Sequence, residues 1–272
     1  MRQRTYTKHW TAELDTDVCN RHTNANLTLY LNLAFRQINP ANGAEAGQFN
    51  DYGSPTETAR KTASWTSSAW ETWTRNLVWS AQHFWNGRFW LNNNFGLFEF
   101  SDGVATYRPH IYCRLRIQRA VLGQAHHTID VVRLDPSEKW FGSHSRLYDD
   151  RDTRWALKRL DSRGRAVMQR AHVHEIGHLL GLGHVDEGKS HCPLSGDTNA
   201  AACYGVADDD VRTVMGAGMS LNTLFATPWQ RAMVHLTGQG SLLTSDWEAS
   251  MRRRLPQRVV GAAPGCGFSG ST

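Results

Sequence analysis

Between residues 174 and 184 the chain reads His-Glu-Ile-Gly-His-Leu-Leu-Gly-Leu-Gly-His. That spacing constrains the fold more than any other feature of the sequence. Residues four apart on a helix lie about 40° from each other around the axis, so His174 and His178 aim their imidazoles at one point. Glu175 lies beside them, within reach of a water at that point but off the ligand position. A helix continued for six more residues would turn His184 about 240° away and carry it about 9 Å further along. The helix must therefore stop. Gly181 is where it can, because a residue without Cβ takes a positive φ and bends the chain back. Met168, Ala171, Val173, Ile176, Leu179, Leu180 and Leu182 make the segment apolar enough to be buried, and unpartnered histidines would be costly there. Three neutral imidazoles with a fourth position left open are the donor set of a catalytic zinc ion, since a structural site is closed by four protein ligands. The expected cofactor is one Zn2+, held by His174, His178 and His184.

The full H-E-x-x-H-x-x-G-x-x-H pattern resembles that of the metzincin zinc endopeptidases, whose second marker is a Met-containing turn downstream. Thr213-Val214-Met215-Gly216 supplies one, with Met215 as the Met beneath the site; Met219 competes but has a less turn-like setting. The resemblance implies an α+β fold: a metzincin-like catalytic domain in which a twisted mixed sheet and two long helices sit above a zinc cleft. A smaller irregular C-terminal subdomain with a closing helix would lie below. The expected division is residues 1–184 with the zinc-binding helix, residues 185–260 with the Met-turn, and a disordered tail at 261–272. The implied activity is a hydrolase of peptide bonds, a metalloprotease. Zinc lowers the pKa of a bound water to about 7, and Glu175 takes its proton as general base and returns it to the leaving amine. Two other readings stand beside it: a zinc-bearing peptide-binding module without turnover, and a zinc amidase acting on cell-wall material. Some metzincins place a Tyr two residues after the turn Met. Here that residue is Ala217, so the donor to the developing oxyanion stays open and the subfamily stays unassigned.

The net charge of +5 raises the question of a polyanion partner. Lys and Arg are dispersed, however, and Arg252-Arg253-Arg254 is the only tight cluster, which reads as a solvated helix face and argues against nucleic acid. The expected partner is a protein or peptide substrate. Asp186, Glu187 and the run Asp208-Asp209-Asp210 are candidates to orient the ligand histidines, with a solvated loop as the plainer reading. His172, His126, His127 and His191 lack ligand spacing. Of five Cys, Cys192 and Cys203 flank a short loop that an oxidising compartment would close by a disulfide, and Cys19 reads as an ordinary Cys. No apolar run of eighteen residues and no signal-peptide core is present, so no membrane is expected. A cytoplasmic protein, or one secreted by a leaderless route, follows as the expectation. A leaderless peptidase would call for restricted specificity, a cognate inhibitor or an export machinery.

Residues 27–35 alternate with period two, as a half-buried strand requires. A helical period runs over 56–85, with Trp65, Ala69, Trp73, Leu77 and Phe84 on one side. Further strands are expected at 89–100, 111–118 and 128–134, with an edge strand at 143–148. Residues 228–236 begin with Pro228 and form a closing helix that Gly238 ends. An edge strand above the cleft could hold an extended peptide, with residues 216–227 walling a specificity pocket.

Overall fold

The computed structural model describes residues 1–50, 59–94, 96, 98–138, 146–238 and 243–259. In chain order the first half contains β1 (Arg2–Tyr6), β2 (Thr11–Asp15), β3 (Ala25–Ile38), β4 (Ala46–Phe49), β5 (Arg60–Ala63), α1 (Ser67–Trp85), β6 (Trp90–Leu91), β7 (Phe100–Ser101), β8 (Thr106–Arg108), β9 (Ile111–Arg119) and β10 (His127–Val132). The second half follows with β11 (Leu147–Asp149), β12 (Ala156–Leu160), β13 (Ala166–Gln169), α2 (Ala171–Leu179), α3 (Asp208–Val211), α4 (Thr227–Thr237), β14 (Ala249–Ser250) and β15 (Gln257–Arg258).

The long strand β3 is the spine of an eight-stranded mixed sheet. Leu33 pairs with both Arg119 and His127, so β9 and β10 flank β3 on opposite edges, both parallel to it. β2 runs antiparallel along the first half of the edge that β10 occupies further on, and β1 pairs outside β2. β6 and then β14 continue beyond β9, and β11 lies outside β10. The alternation read in β3 is real: Leu27, Leu29, Leu31 and Leu33 are all fully buried. They meet Leu115, Ile129 and Val131 of the neighbouring strands and Trp73, Leu77 and Trp85 of α1 in one core. Burying each such side chain is worth about 1.5–3 kcal/mol relative to leaving it in water.

The long helix starts later than the periodicity suggests. Thr66 caps it by accepting from the Ala69 amide, and its helical face begins with Trp70. Arg60–Ala63 pair with β4 instead, so Trp65 packs against Trp70 and Trp73 from outside the helix. Residues 56–58 of the expected helix lie outside the described residues. The strand expected over 89–100 is two short pieces, β6 and the start of β7. The polar run after Leu91 leaves the sheet because Asn92 bonds Glu248 and the Asn93 amide meets the His110 ring. The expected edge strand survives as β11, with residues 143–145 outside the described set. Among the described residues the expected pair of long helices is not found: α1 has nineteen residues, but α2 has nine. A hairpin that periodicity did not reveal, β12–β13, delivers the chain to α2. The closing helix α4 carries Pro228 in its first turn and ends at Gly238, which has φ +61°. Arg252, Arg253 and Arg254 lie outside any helix, exposed beyond β14. The tail expected to be disordered, 261–272, lies outside the described residues. Among the described residues no helix is long and apolar enough to cross a membrane.

Candidate metal centre and active site

α2 sits against the core through Val173, Ile176 and Leu179, and the Trp85 indole of α1 donates to the Val173 carbonyl. Its carboxyl end closes as the sequence requires. Gly181 has φ +94°; its amide bonds the His178 carbonyl and the Leu182 amide bonds the Gly177 carbonyl, the two hydrogen bonds of a Schellman turn. Two carbonyls left over there are taken by side chains from distant elements, Leu180 by the Trp10 indole and Gly181 by Arg231.

The turn brings His184 back beside His174 and His178. Their ligand atoms all lie within 4.8 Å of one another, and the Nε2 of His178 is 3.1 Å from that of His174 and 3.2 Å from that of His184. Each Nδ1 faces a backbone carbonyl: His174 faces Val214 at 2.6 Å, His178 faces Leu182 at 2.9 Å, and His184 faces Thr198 at 2.6 Å. A carbonyl can only accept, so each Nδ1 carries the hydrogen and each Nε2 keeps its lone pair for a metal. Burial depresses all three pKa values, and neighbouring imidazoles add to the effect at His174 and His178; His174 is held well below the ordinary range and His178 at about 4. Neutral imidazoles in this setting are the form a metal binds, so the donor set fits a zinc ion.

Glu175 is buried beside the cluster, and its pKa is pushed well above the ordinary carboxylate value by burial and by Asp152, with Lys158 pulling the other way. A bound dication would bring it back down. Met215 is a packing element of the core. It is fully buried, and a Cβ on Gly177 would run into its sulfur, so it lies directly against α2. Met219 is only half-buried at the edge of the core. The turn around Met215 is held by Gln169, whose amide nitrogen lies 3.0–3.1 Å from the carbonyls of Val214, Gly216 and Gly218.

The acidic side chains considered as orienting partners have other work. Asp186 binds Lys189, His191 and the Val206 amide, Asp208 holds Ser162, and Asp210 meets Lys189. Glu187 accepts from the His184 amide, which fixes the backbone of that ligand and not its ring. His172 is wholly buried and structural; its Nδ1 donates to the Asp152 carbonyl and its Nε2 accepts from the Ser80 hydroxyl. His126 and His127 bond to β3, Thr11 and the His9 carbonyl. Cys19 stands apart from the histidine cluster, its thiol pushed up to about 11 by burial.

Cys192 and Cys203 are joined by a disulfide. The loop it closes carries Thr198, whose carbonyl anchors His184, and it is followed at once by Tyr204. That tyrosine escaped the sequence reading. Its ring lies 3.9 Å from the His184 ring and 5.7 Å, nearly parallel, from that of His174. Burial, with Glu175 and Asp197, raises its pKa to about 12, so it keeps its hydroxyl proton at neutral pH.

Two cavities open on either side of this cluster. One of about 570 Å³ is lined by His178, His184, Gly181, Arg231 and His9, and the other, of about 480 Å³, by His174, Gln169, Lys158, Arg159 and Ala217. Glu175, Asn199 and Tyr204 border both. Of the expected pocket wall, only Ala217 reaches the second cavity; residues 218–222 line a separate hollow against β13 that touches none of the three histidines.

No curated protein and no solved structure matches the chain. The matrixin family does match, over residues 126–216, a stretch that runs from the end of the β9–β10 connection to the turn around Met215. Matrixins are zinc-dependent, and the match implies zinc metalloprotease activity. The chain therefore resembles the matrixins across the segment that builds its centre, and its His174, His178 and His184 fit the metzincin zinc-binding motif.

Proposed function

We propose that the protein is a zinc-dependent endopeptidase, with His174, His178 and His184 as metal ligands, Glu175 as general base and then general acid, and Met215 as the packing floor of the site. The observation that carries this reading is the convergence of three Nε2 atoms whose Nδ1 hydrogens are all committed to carbonyls, next to one buried carboxylate. A zinc ion bound there would supply Lewis acidity, lowering the pKa of water to about 7 and polarising the scissile carbonyl. Glu175 takes the proton from the attacking water and passes it to the leaving amine, so no separate nucleophile is needed. Glu175 borders both cavities, which suits a residue that must serve the water and the departing amine in turn.

Tyr204 fills the role that Ala217 leaves vacant. Its protonated phenol stands beside two of the ligand rings and faces the same two cavities as Glu175, a fitting position from which to donate a hydrogen bond to the oxyanion. The expected substrate is an extended peptide crossing from one cavity to the other.

Incubation with an unfolded protein, a set of peptides and a muropeptide, each with and without a chelator, tests the reading. Chelator-sensitive cleavage within the protein and peptides supports it. Cleavage confined to the muropeptide, or metal binding with no cleavage of any substrate, would overturn it in favour of a cell-wall amidase or a binding module.

A further inference from the structure

The hairpin beside the site carries two cations that the proposed reaction does not use. β12 pairs regularly with β13 at Ala156↔Gln169 and Leu157↔Met168, then skips, so that Arg159 faces Val167 and Lys158 is left over as a bulge. Consecutive residues of a regular strand point to opposite faces, and a bulge breaks that alternation and re-aims a side chain. Lys158 and Arg159 accordingly both line the cavity of about 480 Å³ that contains His174 and Glu175. The Lys158 ammonium is near enough to Glu175 and His174 to act on both electrostatically. The hairpin's own acid, Asp161, is occupied by Arg165 and Arg212, and Glu175 is the only carboxylate lining the cavity among the described residues. An apolar side chain entering here would strip water from two cations and return nothing, whereas a carboxylate would replace that water with charge-assisted hydrogen bonds.

We propose that this cavity is a substrate subsite that selects an aspartate or glutamate side chain next to the scissile bond, with Lys158 and Arg159 as its specificity-determining residues. The inference rests on the peptidase reading, but binding and turnover test the two separately. In the first arm, fluorescein-labelled peptides carrying Glu, Gln or Leu at each position in turn are titrated against the Glu175→Gln protein by fluorescence anisotropy, with zinc bound and with zinc removed. At one position the Glu peptide binds about five- to tenfold more tightly than its Gln isostere at low salt, and the advantage fades as salt is raised. The double variant Lys158→Gln/Arg159→Gln, checked by circular dichroism for an unchanged fold, loses that advantage. In the second arm, the wild-type protein hydrolyses the Glu peptide fastest, and Lys158→Glu/Arg159→Glu shifts the preference to a Lys peptide. Equal binding of Glu, Gln and Leu peptides, or a preference that survives in the double variant, overturns the subsite. Cleavage without acidic preference overturns the subsite and leaves the peptidase reading standing. Acidic preference in binding with no cleavage of any peptide supports the anion-selective cavity and removes the peptidase reading.

Discussion

Each imidazole of the cluster is fixed at two points, by its place on the backbone and by a carbonyl on its Nδ1, and this leaves only Nε2 for a ligand. Spacing made the three histidines legible in the sequence. Their acceptors were not, because the carbonyls of Val214, Leu182 and Thr198 belong to residues whose side chains play no part, and any residue type would offer the same atom. Tyr204 was hidden for another reason: it stands far along the chain from the motif, and the loop before it is brought back by the Cys192–Cys203 disulfide and by the Asp186 amide on the Cys203 carbonyl. Replacing Tyr204 by Phe is expected to lower kcat about tenfold or more with little change in KM, as loss of a donor used only in the transition state does; steady-state kinetics on one cleaved peptide measure it. A second expectation concerns His172, which burial holds at a pKa of about 4 against an ordinary 6.5. As pH falls through 6.5 the unfolded chain takes up a proton there, and the folded chain does not until about pH 4. The unfolded state therefore binds more protons across that window, and stability falls by up to about 1.4 kcal/mol per pH unit. Urea melts of the metal-free protein between pH 7.5 and 4.5 should show this loss, with a shallower slope in His172→Gln.

At the scale of elements, the centre depends on a helix kept short. α2 ends at Leu179 because Gly181 takes a positive φ, and without that bend His184 could not return to His174. Gly181→Ala is expected to cost about 1–2 kcal/mol in stability and to weaken zinc binding, as read by thermal unfolding and by titration with a competing zinc indicator. Gly177→Ala probes the other side of the same helix. Its Cβ would collide with the Met215 sulfur and crowd Trp85, so a loss of about 1–3 kcal/mol is expected, and Met215→Ala in the same chain should relieve part of the clash. Elements with a steady period, β3, β9, β10 and α4, were readable from the sequence. The hairpin was not: the bulge at Lys158 destroys the alternation by which a strand is recognised, and Leu157, Leu160 and Met168 are exposed on it in place of being buried. The start of α1 differs from the periodicity because Trp65 continues the apolar stripe numerically while standing outside the helix.

At the scale of the molecule, the sheet anchors the helix that bears two of the histidines, and the β12–β13 hairpin and the 192–203 loop line the cavities beside them. β3 and its neighbours bury the core against α1, and α1 holds α2 by the Trp85 indole, so His174 and His178 ride on the most buried part of the fold. His184 and Tyr204 depend on the 192–203 loop, which the Cys192–Cys203 disulfide closes. Cys192→Ser/Cys203→Ser is expected to reduce stability by about 2–3 kcal/mol and to lower zinc affinity about tenfold or more, since Thr198 would no longer be held under His184. One buried carboxylate beside three histidines is what would turn a bound metal ion into a peptidase centre. The most direct measurement is zinc stoichiometry together with the cleavage rate of a peptide substrate, for the wild type and for Glu175→Gln. One zinc per chain is expected in both proteins, with cleavage in the variant slowed by about 10²–10⁴-fold. A variant that holds its zinc and cleaves at the wild-type rate would contradict it.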